Sequence, residues 1–85
     1  MKKFDYVIKD ELGIHARPAA KLVQESNKFE SKVVMTCNGN ECEIAKLFAL
    51  MAMGVRHGDN VTVSVEGTDE EWAYETIKKF FEEEL

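Results

Sequence analysis

The chain changes from a loop to a helix within Gly13-Ile14-His15-Ala16-Arg17-Pro18-Ala19. Gly13 permits backbone angles that a side chain would resist. Pro18 suits a first helical turn, where its missing N–H would have no intrahelical partner. Apolar residues then recur at helical spacing, at Ala16, Ala19, Ala20 and Val23. We therefore predict a helix over residues 16–27, with His15 at or beside its N-cap.

His15 lies where the predicted helix offers free backbone N–H groups and the positive end of its dipole to an anion. Arg17 adds a permanent planar cation that suits phosphate oxygens. The helix start and Arg17 both disfavour a positively charged imidazole, which favours the neutral, nucleophilic form of His15. We predict that His15 carries a phosphoryl group, and that the N–H groups of Ala16 and Arg17 and the Arg17 guanidinium stabilise it.

No complete catalytic site is apparent around His15. The sequence contains no glycine-rich phosphate loop, and no paired carboxylates converge on His15. His57, the only other histidine, lies far along the chain and is predicted to be an ordinary surface side chain. We expect neither a metal nor a cofactor. The chain is predicted to be a substrate for phosphotransfer rather than a free-standing enzyme, so that its partner proteins supply the remaining transition-state contacts.

Length and charge limit the classes of protein that the chain can belong to. Its 85 residues, 45% of them hydrophobic, predict one globular domain over residues 1–85. The net charge of −5 argues against general nucleic-acid binding, which needs a basic face. No secretion signal is predicted, and no apolar run approaches the ~20 residues of a membrane helix. We therefore expect a cytoplasmic location.

Local patterns predict the remaining elements of the fold. Strands are predicted at residues 4–9, 32–37, 40–43 and 60–66. Asn38-Gly39 is the strongest hairpin signal between two of them. A capping box of Thr68 and Glu71 is predicted to start the last helix. The order β-α-β-β-α-β-α predicts an α+β fold, in which a four-stranded antiparallel sheet has three helices on one face.

Residues 47–53 are apolar at every position and rich in Leu, Ala and Met, which predicts a short helix ended by Gly54. A short helix buries only part of its circumference, so some of these side chains are expected to be exposed. Exposed Leu, Phe and Met side chains in a small protein indicate a partner surface. The alternative is that all of the large ones belong to the core: Leu47, Phe48, Leu50, Met51 and Met53.

Cys37 and Cys42 flank the predicted hairpin turn. A two-residue turn places them diagonally on one face of the hairpin, about 7–8 Å apart. That separation is too large for an unstrained disulfide, and two thiols alone make a poor zinc site. We predict two reduced, structural cysteines.

The stretch 13–19 resembles the active-site signature of the HPr family, the histidine phosphocarriers of the bacterial sugar phosphotransferase system. The resemblance extends to Asn38-Gly39, residues 46–54 and residues 61–71. It implies an open-faced β-sandwich and a monomer. It also implies phosphorylation of His15 at Nδ1 by enzyme I, onward transfer to enzyme IIA domains, and docking of both partners on the matching positions Leu47, Phe48 and Met51.

The sequence departs from the family at two places. Lys46 stands where many HPr proteins have the serine that a regulatory kinase modifies, and neutral residues stand where some members have lysines, at Gln24, Asn27 and Ala49. Two alternatives therefore stay open. One is a paralogous carrier of a nitrogen-regulatory or dihydroxyacetone-kinase branch, and the other is a regulatory module that binds without turnover.

Overall fold

The computed structural model describes all 85 residues, in which four strands and three helices follow one another. They are β1 (Lys2–Val7), α1 (Ala16–Ser26), β2 (Lys32–Cys37), β3 (Asn40–Glu43), α2 (Leu47–Ala52), β4 (Asn60–Glu66) and α3 (Glu70–Glu84). The strands form one antiparallel sheet in the order β1-β4-β2-β3. The helices cover one face of it, which confirms the predicted α+β open-faced sandwich.

Strand β4 lies inside the sheet and has one apolar face. Val61, Val63 and Val65 are fully buried in the core, whereas Thr62 and Ser64 point to the opposite face and are half-buried. Full burial of a valine side chain stabilises the folded state by about 1.5–3 kcal/mol. β4 pairs with β1 on one side and with β2 on the other. The strand predicted at residues 60–66 is thus confirmed, and its alternating valines form its buried face.

The β2–β3 hairpin turns at Asn38 and Gly39, whose φ angles of 52° and 82° suit a tight two-residue hairpin turn. Cys37 pairs with Asn40 and Met35 with Cys42, so the two cysteines are diagonal neighbours. Both thiols are free, as predicted. Burial raises the pKa of both, and Asp59 raises that of Cys37 further, which keeps these thiols in their unreactive protonated form.

The predicted capping box at the start of α3 is not formed. The helix begins at Glu70 after the N-cap residue Asp69, and the Thr68 hydroxyl donates to the Glu30 carboxylate at 3.0 Å. The Asp69 carboxylate accepts hydrogen bonds from the Ser31 hydroxyl and from the backbone N–H groups of Glu30 and Ser31. These bonds hold the pKa of Asp69 below its usual range. Contacts with a distant loop therefore take the place of the predicted box, and the local bond that does form is shifted by one residue, from the Gly67 N–H to Glu70 Oε1 at 3.2 Å.

Two further predictions need correction. In α1, Ala16 is exposed, and the helix instead buries Pro18, Ala19, Leu22 and Ser26. Strand β1 begins at Lys2 rather than at residue 4 and ends at Val7 rather than at residue 9. It ends early because the N–H groups of Lys9 and Asp10 leave the sheet and donate to the backbone oxygen of Leu85 at 2.6 and 2.8 Å. None of the helices is both long enough and apolar enough to span a membrane.

Candidate functional site

His15 is the N-cap of α1, as the sequence predicted, and its side chain is 36% exposed. The preceding loop is held tightly against the 55–56 segment. The Ile14 N–H donates to the Val55 carbonyl at 3.1 Å, and Gly13 has a φ of +66°. A Cβ atom at position 13 would collide with the Val55 carbonyl oxygen. Gly13 therefore allows the close approach that sets the position of His15.

The first turn of α1 leaves backbone donors free beside His15. The first helical bond runs from the Ala19 N–H to the His15 carbonyl at 3.0 Å, and Pro18 has no N–H. The N–H groups of Ala16 and Arg17 have no acceptor within the protein. The first turn contains no acidic residue, and no side chain caps it. These two donors are consequently available to an anion bound beside His15.

Arg17 is exposed and makes no ion pair or side-chain hydrogen bond within the protein. An unpaired guanidinium at the surface can reach an incoming phosphoryl group without first breaking an internal contact. The structure therefore brings together the predicted phosphoryl-site residues: His15, Ala16 and Arg17.

Asp10 is the residue of this site that sequence reasoning missed. Its Oδ2 atom lies 3.8 Å from His15 Nε2, and its Oδ1 atom accepts a hydrogen bond from the Leu12 N–H at 2.8 Å. The structure thus places one carboxylate, though no pair of carboxylates, beside the Nε2 atom of His15. The only signal in the sequence was an Asp three residues before Gly13, in the turn that leads to the histidine.

The apolar side chains of α2 divide between surface and core, and none of the three predicted to bind partners is in the core. Phe48 is 85% exposed and Met51 is 41% exposed, whereas Leu47 is half-buried and Leu50 is 1% exposed. Exposed apolar side chains on α2 agree with a partner surface, and the alternative that all of them are core is wrong. Leu12, three residues before His15, is 72% exposed and adds an apolar side chain that the sequence analysis had not singled out.

The remaining candidate residues do not join a second site. His57 is exposed, and no group of three or more His, Cys, Asp or Glu side chains could hold a metal ion. Lys46 is the N-cap of α2, is exposed and makes no capping bond. A surface depression on α3 is lined only by polar and charged side chains and includes none of the residues around His15.

The geometry around His15 agrees with the comparison with known families. The family model described as "PTS HPr component phosphorylation site" matches residues 2–83. The chain belongs to the HPr family. The match spans nearly all of the sequence, so the family assignment rests on the whole fold as well as on the residues around His15.

Individual HPr proteins are similar to this chain over almost its full length. The phosphocarrier protein HPr of Mycoplasma genitalium is 47% identical over 83 residues, covering 96% of this chain and 94% of that protein. A solved mycoplasma histidine-containing phosphocarrier protein has a TM-score of 0.91 at 33% identity, covering 93% and 90% of the two chains. An HPr dimer from Thermoanaerobacter tengcongensis has a TM-score of 0.77 at 35% identity, covering 98% and 95%.

Proposed function

We propose that this HPr-family protein accepts a phosphoryl group on His15 from phosphorylated enzyme I and passes it to enzyme IIA domains during sugar uptake. The observation that supports the proposal most strongly is the partly exposed His15 at the start of α1, beside two free backbone N–H groups and an unpaired arginine. In this proposal, the protein acts as a cytoplasmic monomer and needs no cofactor of its own.

The residues around His15 have separate roles in this proposal. The neutral imidazole attacks the phosphorus atom through Nδ1, the nitrogen that the family resemblance implies. The N–H groups of Ala16 and Arg17 then donate to the phosphoryl oxygens, and the Arg17 guanidinium balances their negative charge. The site is open and has few cations, so it holds the group firmly enough to carry it and loosely enough to release it.

Partner docking is assigned to Leu47, Phe48 and Met51. The exposure of Phe48 and Met51 supports this role, and α2 packs against α1, the helix that begins beside His15. A partner that covers this part of α2 would also approach His15. Because no enclosed pocket surrounds the histidine, the partner must exclude water and supply the rest of the transition-state environment.

The test is reconstitution from purified components. The wild-type protein is incubated with phosphoenolpyruvate and a sugar-branch enzyme I, and its intact mass is followed before and after an enzyme IIA domain is added. We expect the mass of one phosphoryl group to appear and then to be lost to enzyme IIA. The same assay is run with a nitrogen-branch enzyme I, to which neutral Gln24, Asn27 and Ala49 could be better matched than lysines.

Three outcomes separate the possible functions. Transfer from the sugar-branch enzyme alone supports the proposal. Transfer from the nitrogen-branch enzyme alone contradicts the sugar-uptake role but preserves the carrier role. Binding to either enzyme without any gain in mass contradicts both and indicates a regulatory module.

A further inference from the structure

We propose that Asp10 is a positioning residue that selects the nucleophilic nitrogen of His15. The proposal rests on the phosphocarrier function above and deepens it. It starts from the separation of 3.8 Å between Asp10 Oδ2 and His15 Nε2, which is longer than a hydrogen bond and still within the range of a direct electrostatic interaction. The two side chains are 29% and 36% exposed, so solvent weakens the interaction without removing it.

The Asp10 side chain is held in place by contacts that do not involve His15. The Asp10 N–H donates to the Leu85 carbonyl at 2.8 Å, and the Asp10 carbonyl accepts from the Gly13 N–H at 2.9 Å. Its Oδ1 atom accepts from the Leu12 N–H at 2.8 Å. These bonds leave Oδ2 as the carboxylate oxygen that faces His15. The carboxylate is therefore oriented before any partner binds.

No other carboxylate lies within ion-pair distance of His15. The charged and titratable residues on the segments around the loop between β1 and α1 are Arg17 on α1, Arg56 and His57 after α2, and Glu84 near the end of α3. Glu84 is paired with Lys21 at 3.5 Å. The two arginines are cations and cannot favour a proton on Nε2. Asp10 is therefore the one carboxylate that faces Nε2, and it favours the proton on that nitrogen.

A neutral imidazole has one N–H and one nitrogen with a free lone pair. The Asp10 carboxylate stabilises the N–H at Nε2, which leaves the lone pair on Nδ1. In the forward step, that lone pair forms the N–P bond, while the bond from phosphorus to the donor breaks and its electron pair returns to the donor. The proton stays on Nε2, so the positive charge that develops on the ring lies beside Asp10.

The same contact assists the onward step. When an acceptor attacks phosphorus, the Nδ1–P bond breaks and its electron pair returns to Nδ1. Because Nε2 has kept its proton, the leaving group is a neutral imidazole rather than an anionic imidazolate. A neutral leaving group departs more readily, so Asp10 favours transfer in both directions without touching the phosphoryl group.

The decisive variant is Asp10→Asn, because an asparagine keeps an oxygen for the Leu12 N–H and exchanges the facing carboxylate oxygen for an NH₂ donor. That donor favours an unprotonated Nε2 and thereby places the ring proton on Nδ1. Glu11→Gln is the matched control, since it removes the same charge from the adjacent exposed residue. Asp10→Glu tests whether the carboxylate at a shifted position restores part of the effect.

Two measurements are made on each variant. Nitrogen-15 NMR of the neutral imidazole is expected to show mainly the Nε2–H tautomer in the wild type and in Glu11→Gln, with a larger Nδ1–H share in Asp10→Asn. Transfer from phosphorylated enzyme I is expected to slow by roughly two- to fivefold in Asp10→Asn, as suits a partly exposed charge pair. Asp10→Glu is expected to recover part of both.

An unchanged tautomer ratio, or an unchanged transfer rate, in folded Asp10→Asn overturns the role of Asp10. So does an equal loss in Glu11→Gln, since the effect would then come from net charge. If the wild type takes up no phosphoryl group from any enzyme I, the proposed function fails instead, and the tautomer ratio alone decides whether Asp10 orients the ring.

Discussion

Helices α1 and α2 begin without a side-chain cap and without an acidic residue in the first turn, yet only one of them begins at a candidate reactive site. His15 precedes α1, which has 11 residues and free N–H groups beside an unpaired arginine. Lys46 precedes α2, which has only six residues, and places its own ammonium at the positive end of the helix dipole.

An uncapped helix start alone does not make a phosphoryl-binding site. At α1, neighbouring segments hold the start in place through the contacts of Gly13 and Asp10. At α2, the feature of interest is the exposed side of the helix, where Phe48 and Met51 lie. The start of α1 is proposed to bind a phosphoryl group, and α2 is proposed to bind partner proteins through its exposed side.

Gly13→Ala, just before the start of α1, is expected to have the largest effect, which is on the free energy of unfolding. A left-handed backbone costs a non-glycine residue ~1–2 kcal/mol. The collision with Val55 adds an overpacking cost, so the free energy of unfolding should fall by ~2–4 kcal/mol in total. Gly54→Ala is the control at the end of α2, because Gly54 has a φ of +63° but open space around it. Thermal melts should show the smaller loss there, and equal losses would contradict the close-packing argument.

Arg17→Ala tests the electrostatics of the α1 start. Position 17 is exposed, so the melting temperature should hardly change. Losing one guanidinium–phosphoryl contact should cost ~1.5–3 kcal/mol of transition-state stabilisation, or roughly ten- to a hundredfold in transfer rate. Arg17→Lys should recover only part, because an ammonium lacks the planar pair of donors. Stopped-flow or quenched-flow assays measure the phosphoryl-transfer rates of both variants. A wild-type rate in Arg17→Ala would refute the electrostatic role of Arg17.

Phe48→Ala tests whether partner proteins bind to the exposed side of α2. Removing an exposed aromatic side chain from the proposed interface should weaken binding to enzyme I by ~1–2 kcal/mol, with no comparable loss of protein stability. Gln24→Ala, an exposed change outside the apolar group, should have little effect. Calorimetric titration at low and physiological salt should also show only a mild salt dependence. A steep salt dependence would mean that charges rather than apolar contacts dominate docking.

Lys46→Ser has the smallest expected effect and makes the α2 start more like a typical helix N-terminus. A serine hydroxyl can accept a hydrogen bond from an N–H of the first turn, and the change removes an unfavourable charge. We expect stabilisation of ~0.5–1 kcal/mol by thermal or denaturant unfolding. Lys46→Ala separates the two causes, because it removes the charge without adding a cap. A less stable Lys46→Ser protein would contradict the N-cap assignment of position 46.

Features with local causes were predictable from the sequence. The Asn38-Gly39 turn, the alternation in β4 and the short helix ended by Gly54 each depend on neighbours within a few residues. The position of His15 at the start of α1 was predictable for the same reason, since Gly13 and Pro18 limit where the helix can begin.

Features with long-range causes were not predictable. Asp69 binds the loop at residues 30–31 rather than forming a local cap, and Leu85 pairs with the backbone at residues 9–10 and ends β1 early. The contact between Asp10 and His15 depends on that second pairing. In α1, the alanines did not define the buried face, because a small apolar side chain can lie on either side of a helix. The buried face of the structure is the one that contains Leu22.

In the proposed function, His15 carries the phosphoryl group. The most direct measurement labels the wild type, His15→Ala and His57→Ala with enzyme I and isotopically labelled phosphoenolpyruvate, and then locates the label by mass spectrometry. We predict label on His15 in the wild type and in His57→Ala, lost in acid and retained in alkali as an N-phosphoryl group requires, and none in folded His15→Ala. Label that survives in His15→Ala, or that is found on His57, would contradict the assignment of His15 as the phosphoryl carrier.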